Sequence, residues 1–304
     1  MLLYFLTSVN IINGEKIIMI EKIKHLVFPF LFVALYGSGF VGAKYGLPYS
    51  TPLSFLTLRF FLAGLILLFI MKYMKVNLPS IKDIFHISIA GILTVAVFSI
   101  GIFISIDMGL SPALSAMIIA LQPILVAVLA KSFLSEDTGI IQAFGLLVGL
   151  VGVMLVLVNN MDITTAGLYS IALSVFGLLG LSLGNLYQKK FCENMNIFSG
   201  GAIQSIASGF VCLILMLMFD SYEVVWTSEF IYALLFMTIG VSIGALSLLY
   251  IMIRRAEVSK VASIFYLIPV SAAISGYFIY GETFELITIL GIAIVALGVY
   301  LSNY

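Results

Sequence analysis

Arg59 sits inside the apolar stretch TPLSFLTLRFFLAGLILL (51–68), and it is the residue in this chain best placed to do chemistry. If the stretch is a helix crossing lipid, Arg59 lies about 12 Å below one end, at 1.5 Å per residue. A charge at that depth is costly, so it is expected to face the bundle interior and find a partner. Two readings stay open. Arg59 anchors a substrate carboxylate or phosphate, or it is structural, paired with Asp107 or bonded to helix carbonyls, with Lys44 at a similar depth. Other candidates cluster around two prolines. Pro123 and Pro269 each remove a backbone donor and open the helix one turn upstream, freeing a carbonyl that must face protein or a water-lined path. Gln122 and Tyr266 are the polar groups beside them. These helices are expected to flex and line a path, with plain structural kinks as the alternative. Ser38 and Tyr187 complete the candidate solute-binding set. Ser38 bonds either a solute or its own helix carbonyl. Gly37, in YGSGFVG, joins Pro123 and Pro269 as a candidate hinge or cavity-lining residue, with close helix contact as the alternative.

Other chemistries find few residues. His25 and His86 are the only histidines, and no HExxH, GxSxG or pair of aspartates within a helix occurs. Cys192 and Cys212 have no metal-ligand spacing and read as reduced structural thiols. No enzyme activity, metal or cofactor is expected. A polytopic intramembrane enzyme is the weakest of the functional readings.

Lipid is the solvent that this composition demands. Of the 304 residues, 62% are hydrophobic and 9% charged, with a mean hydropathy of +1.23; an average soluble domain carries about 25% charged residues. The formal net charge is zero, which offers no field for nucleic acid. Runs of about 20 apolar residues cross a hydrocarbon layer, and ten are found: 26–47, 51–71, 84–106, 111–133, 139–158, 163–188, 197–219, 229–253, 258–280 and 284–302. The chain is therefore expected to be an all-α membrane protein of ten transmembrane helices. Residues 1–25 are read as a cytoplasmic tip without the marks of a signal peptide, and Met19 is an alternative start.

Charge orients the spans. With the N-terminus cytoplasmic, Lys16, Lys22, Lys24, Lys72, Lys75, Lys82, Lys131, Lys189, Lys190, Arg254, Arg255 and Lys260 all fall on the cytoplasmic side. That is twelve of the 14 basic residues. The opposite loops hold Asp107, Asp162, Asp220, Glu223, Glu229, Glu282 and Glu285. A cytoplasmic excess of Lys and Arg is the orienting signal, so both termini are expected in the cytoplasm.

The chain also repeats itself. LQPILVAVLAKSFLSED (121–137) and LIPVSAAISGYFIYGET (267–283) align at a shift of 146 residues, which carries Pro123 onto Pro269, Glu136 onto Glu282, Gly145 onto Gly291 and Gly152 onto Gly298. Over 113–155 against 259–301, eleven of forty-three positions are identical, where apolar composition alone gives about four or five. Five spans is an odd number, so the second copy enters the membrane upside down. Two inverted repeats of this kind build transporters with a central site. The acids Glu136 and Glu282 are expected at helix ends, capping the helix that follows each.

LYGSGFVGAKYGLPYSTPLSFLTLRFFLAGLILL (35–68) resembles the first two helices of the EamA family of the drug/metabolite transporter superfamily. The Pro…Glu phrase, followed by GLLVGLVGVMLVL (145–157) or GIAIVALGVYL (291–301), is similar to the end of each EamA repeat. The resemblance implies two five-helix repeats, 26–158 and 163–303. It also implies a central cavity, and export or exchange of small metabolites across a bacterial inner membrane. No span centre holds an acid to take a cationic drug, so neutral or zwitterionic solutes, amino acids first, are expected. Drug or toxic-compound efflux is the alternative. The expected partners are a small solute and the bilayer; the oligomeric state stays open, with a monomer compatible.

Overall fold

The computed structural model describes residues 14–157, 167–280 and 285–303. Among these the chain is all-helical, and its one extended pairing is an isolated bridge between Ser50 and Val224. In chain order the helices are α1 (Gly14–Gly46), α2 (Pro52–Tyr73), α3 (Ile81–Asp107) and α4 (Pro112–Ile119 continued by Gln122–Leu134). There follow α5 (Ile140–Leu157), α6 (Leu168–Cys192), α7 (Ile197–Phe219) and α8 (Ser228–Arg255). Last come α9 (Val258–Ser263, a 3₁₀ turn Ile264–Tyr266, then Leu267–Tyr280) and α10 (Leu286–Ser302). Eight of them are long and apolar enough to cross a membrane, and α5 and α10 are shorter apolar helices. Helix α1 begins at Gly14, so its first turns lie within the segment read as the N-terminal tip.

Side-chain caps set where several helices start. Ser80, Ser111 and Thr227 accept from the backbone N–H three residues on, and Asn196 accepts from Phe198 and Ser199. Each satisfies donors that the first turn leaves without a partner. Pro52 opens α2, where its missing N–H costs nothing.

Pro123 and Pro269 break their helices as the lost donor dictates, whereas Pro29 lies inside the continuous helix α1. In α4 the regular ladder stops at Ala120–Leu121, and Pro123 sits in the first turn of the second segment. In α9 the 3₁₀ turn lies one turn before Pro269. Helices α3 and α8 carry a second matched irregularity: π-helical stretches at Ile92–Val97 and Phe236–Ala245. A shift of 146 residues moves 92–97 onto 238–243, inside the second stretch.

Contacts between the halves are close and antiparallel. A Cβ placed on Gly152 of α5 would lie 2.5 Å from the Val295 nitrogen of α10, and one on Gly145 would lie 2.5 Å from the Ser302 nitrogen. From the other side, a Cβ on Gly291 would lie 2.7 Å from the Val156 nitrogen, and one on Gly298 would strike the Gly149 backbone. Rising numbers in α5 thus meet falling numbers in α10. Helices α2 and α7 pair the same way, Gly64 against Ile206 and Gly209 against Phe61. The main core is built from α1, α2, α3, α4, α6, α7, α8 and α9, and a smaller cluster fills the space between α4, α5, α9 and α10.

Candidate functional site

A narrow central cavity of about 30 Å³ lies between α1, α2, α3 and α8. Much of it is crevice between side chains, but its walls have a defined chemistry. Helix α1 offers Tyr36, Gly39, Phe40 and Ala43, a stripe at the i, i+3, i+4, i+7 spacing of one helix face. Helix α2 offers Arg59. Helix α3 gives Thr94, Val95, Phe98, Ser99, Ile102 and Phe103, and α8 gives Met237, Val241 and Leu246. Both π stretches therefore border the cavity. Insertions of this type are frequent at functional sites, and here the one in α8 carries Ser242, the hydrogen-bond partner of Arg59.

Arg59 is 4% exposed. Its Nε donates to Ser242 Oγ at 2.8 Å, and its guanidinium carbon lies 5.2 Å from the Phe60 ring centre and 5.9 Å from that of Phe103. An ion pair with Asp107, part of one of the two readings left open, is not formed. Among the described residues the ion pairs are Lys131–Asp137, Lys189–Glu193 and Lys260–Glu257, whereas Asp107 borders a separate crevice with Asp220 and Glu223 at one end of the bundle. The reason is reach, since Asp107 ends α3 and Arg59 is two turns inside α2. Beside Arg59, the Tyr36 ring stacks on Phe98 at 5.8 Å and meets Phe265 edge-on. The Tyr36 hydroxyl is buried without a hydrogen-bond partner among the described residues, as are those of Tyr250, Thr57 and Thr238. Interior polar groups in this condition ordinarily have an explanation in water or ligand.

The other sequence candidates fall elsewhere. Ser38 Oγ donates to the Ala34 carbonyl at 2.6 Å and the Leu35 carbonyl at 3.1 Å, bonding its own helix. A Cβ on neighbouring Gly37 would come within 2.5 Å of Ser271 Cβ, so its role in this structure is to let α1 approach α9. Gln122 is fully buried with both amide atoms unbonded, at the break in α4 beside Pro123. Tyr266 lies at the matching break in α9 before Pro269, its ring against Gly149 and its hydroxyl unbonded. None of these four is in the cavity wall, and Tyr266 belongs to the smaller cluster. Tyr187 shares a 2.7 Å hydrogen bond with His86, far along α6 toward the lysine-rich end. Of the solute-binding set, then, Arg59 alone lines the cavity. Tyr36, Thr94, Ser99, Phe103 and Met237 were missed, although the helical stripe beginning at Tyr36 was present in the sequence.

Glu136 has an outcome that differs from expectation. It does not cap α5, the helix that follows, but accepts from α9: from the Val258 N–H at 3.2 Å, the Ser259 N–H at 3.5 Å and the Ser259 hydroxyl at 3.3 Å. The turn after α4, with Ser135 in a left-handed conformation, carries the carboxylate away from α5 and onto the positive end of α9. This ties the first half of the chain to the second. Glu282 lies outside the described residues. Replacing Glu136 with Ala removes three accepted bonds of the charge-assisted kind, each worth about 1.5–3 kcal/mol. Amide hydrogen exchange at Val258 and Ser259 is then expected to accelerate at least tenfold, with α5 amides unchanged.

A model of the EamA-like transporter family matches this chain twice, over residues 24–158 and 167–304. The chain belongs to that family. Its similarity extends to the uncharacterized transporter YvbV of Bacillus subtilis, 27% identical over 91% of this chain and 90% of that protein. It extends also to a WAT1-related chloroplast protein of Arabidopsis thaliana, 25% identical over 92% and 68%, and to the inner membrane transporter YedA of Escherichia coli K12, 22% identical over 90% and 88%. A crystal structure covering 91% of this chain and 96% of its own superposes with a TM-score of 0.76 at 14% identity, a likeness of fold. This EamA protein is a multi-pass membrane transporter, with one family unit on each side of the segment joining α5 to α6.

Proposed function

We propose that this EamA protein exports or exchanges small carboxylate-bearing metabolites across the bacterial cytoplasmic membrane by alternating access through the central cavity. The observation carrying this reading is Arg59, a buried cation in an aromatic cavity with no acid to balance it among the described residues. A buried charge without a partner is expensive, and a carboxylate matches the guanidinium fork. Amino acids are the commonest metabolites bearing that handle. Efflux of a toxic amphipath is the second reading, favoured by Met237 and the aromatic walls.

Alternating access needs two halves that exchange roles. The antiparallel α5–α10 contact supports this: the same 146-residue shift carries the pair Gly152–Val295 onto Gly298–Gly149. A two-fold axis that relates antiparallel helices runs across them, so the halves are inverted in the bilayer. Ten spans, with the lysine-rich end cytoplasmic, follow from that arrangement. In this frame the Glu136–α9 contact closes the cytoplasmic side.

Two experiments test the proposal. Liposomes reconstituted with the protein and loaded with labelled carboxylates, amino acids among them, are expected to show protein-dependent efflux; no movement of any solute sinks it. In a variant with Cys192 and Cys212 replaced, single cysteines at Ser135 and Gly281 are expected to be labelled from opposite faces. Labelling from one face refutes the inversion.

A further inference from the structure

The charges around the cavity narrow the solute further, given that the central cavity is the transport site. We infer that the preferred solute is a monoanion with an apolar body and no ammonium group: a hydrophobic monocarboxylate of the 2-oxo acid type rather than an amino acid.

Among the described residues, Arg59 is the one formally charged side chain in the cavity wall, which includes no Asp or Glu. An arginine does not deprotonate in a protein, so the wall carries a fixed single positive charge. Of its five N–H donors, the one on Nε is used by Ser242, and no hydrogen bond to the remaining four is formed among the described residues. Those four present the planar fork that takes a carboxylate through two parallel bonds. One cation balances one negative charge, which disfavours dianions such as phosphate monoesters and dicarboxylates.

An ammonium has no equivalent place. With no carboxylate in the wall it meets only neutral groups, and the Phe60 and Phe103 rings that otherwise attract a cation already flank the Arg59 guanidinium. On an amino acid the ammonium sits one carbon from the carboxylate. Binding that carboxylate to Arg59 therefore brings two like charges together in a low-dielectric cavity, where repulsion is strong. A 2-oxo group in the same position is an acceptor instead. Tyr36, 3% exposed and with its hydroxyl unbonded, lies within electrostatic reach of Arg59 and is the donor available to it. Phe40, Phe98 and Phe103 supply apolar wall for the rest of the solute.

The test compares 4-methyl-2-oxopentanoate with leucine, which share a carbon skeleton and differ at the 2-position, and adds 3-methylbutylamine and succinate. The protein is reconstituted in liposomes at pH 7, counterflow is measured with protein-free vesicles subtracted, and binding to the detergent-purified protein is measured in parallel. The expected result is a kcat/KM at least tenfold higher for 4-methyl-2-oxopentanoate than for leucine, with no transport of the amine or the dianion. In Arg59→Met, binding and counterflow of the oxo acid are expected to be lost. Leucine handled as well as or better than the oxo acid overturns the inference, as does absence of oxo-acid binding. If Arg59→Met abolishes leucine transport as well, the cavity reading survives that failure. If the variant leaves transport of either solute unchanged, the cavity reading itself falls.

Discussion

Arg59→Ala is expected to lower kcat/KM by two to three orders of magnitude while the protein keeps its fold. Truncating one partner of a buried, hydrogen-bonded charge pair costs about 2–5 kcal/mol, and about 1.4 kcal/mol is a factor of ten. The sharper part concerns the protein without solute. Here Arg59 has no acid partner among the described residues, so its removal leaves no carboxylate unbalanced. Ser242 loses one donor and, as a helical serine, can bond a carbonyl of its own helix. Melting temperature in detergent is thus expected to stay the same or rise, and stabilisation by added solute to disappear. A purely structural arginine gives the opposite pattern: a large fall in melting temperature, with transport lost in proportion to the folded fraction. Arg59→Lys keeps the charge without the planar fork. Its expected place is between the two, with KM raised more than kcat is lowered.

The fold was legible because its signals are long and repeated. Apolar runs of span length place the helices within a few residues, and the 146-residue echo around Pro123 and Pro269 marks where α4 and α9 break. The cavity was harder to read. A buried arginine announces itself by type, whereas Tyr36 is one tyrosine among 15, and only its neighbours on the assembled face distinguish it. Gln122 and Tyr266 lie off the cavity wall. Each is polar and close to a proline, yet Tyr266 packs its ring on Gly149 of α5 and joins the smaller cluster. The π stretches in α3 and α8 leave no mark in composition, because an extra residue in a helical turn is a property of packing. Glu136 shows how local reasoning fails across a fold. A carboxylate before a helix favours capping that helix, but the chain reversal at Ser135 delivers it to a helix more than a hundred residues away.

The second large effect falls on the α5–α10 seam, where Gly298→Ala is expected to destabilise the protein by about 1–3 kcal/mol or more, the range for overpacked interiors. The added methyl meets the Gly149 backbone, with the Gly145 carbonyl oxygen 2.9 Å away. Backbone cannot rotate aside as a side chain can, so relief requires the two helices to separate. Without a hydrophobic drive between helices in lipid, their association depends on that close packing. The 146-residue shift turns this into a paired prediction. Gly152→Ala places its methyl 2.5 Å from the Val295 nitrogen and 3.0 Å from the Gly291 carbonyl oxygen, the repeat equivalents of the groups that Gly298 meets. The two substitutions are therefore expected to lower melting temperature by similar amounts, as are Gly145→Ala and Gly291→Ala. Gly139→Ala and Gly167→Ala, with nothing within 4 Å, are expected to be neutral. Melting curves of the six variants in detergent decide the matter. Matched losses within each seam pair are what a two-fold axis crossing α5 and α10 requires. If one member of each pair is severe and the other silent, the halves are not equivalent at this seam, and the symmetry on which alternating access rests is lost with it.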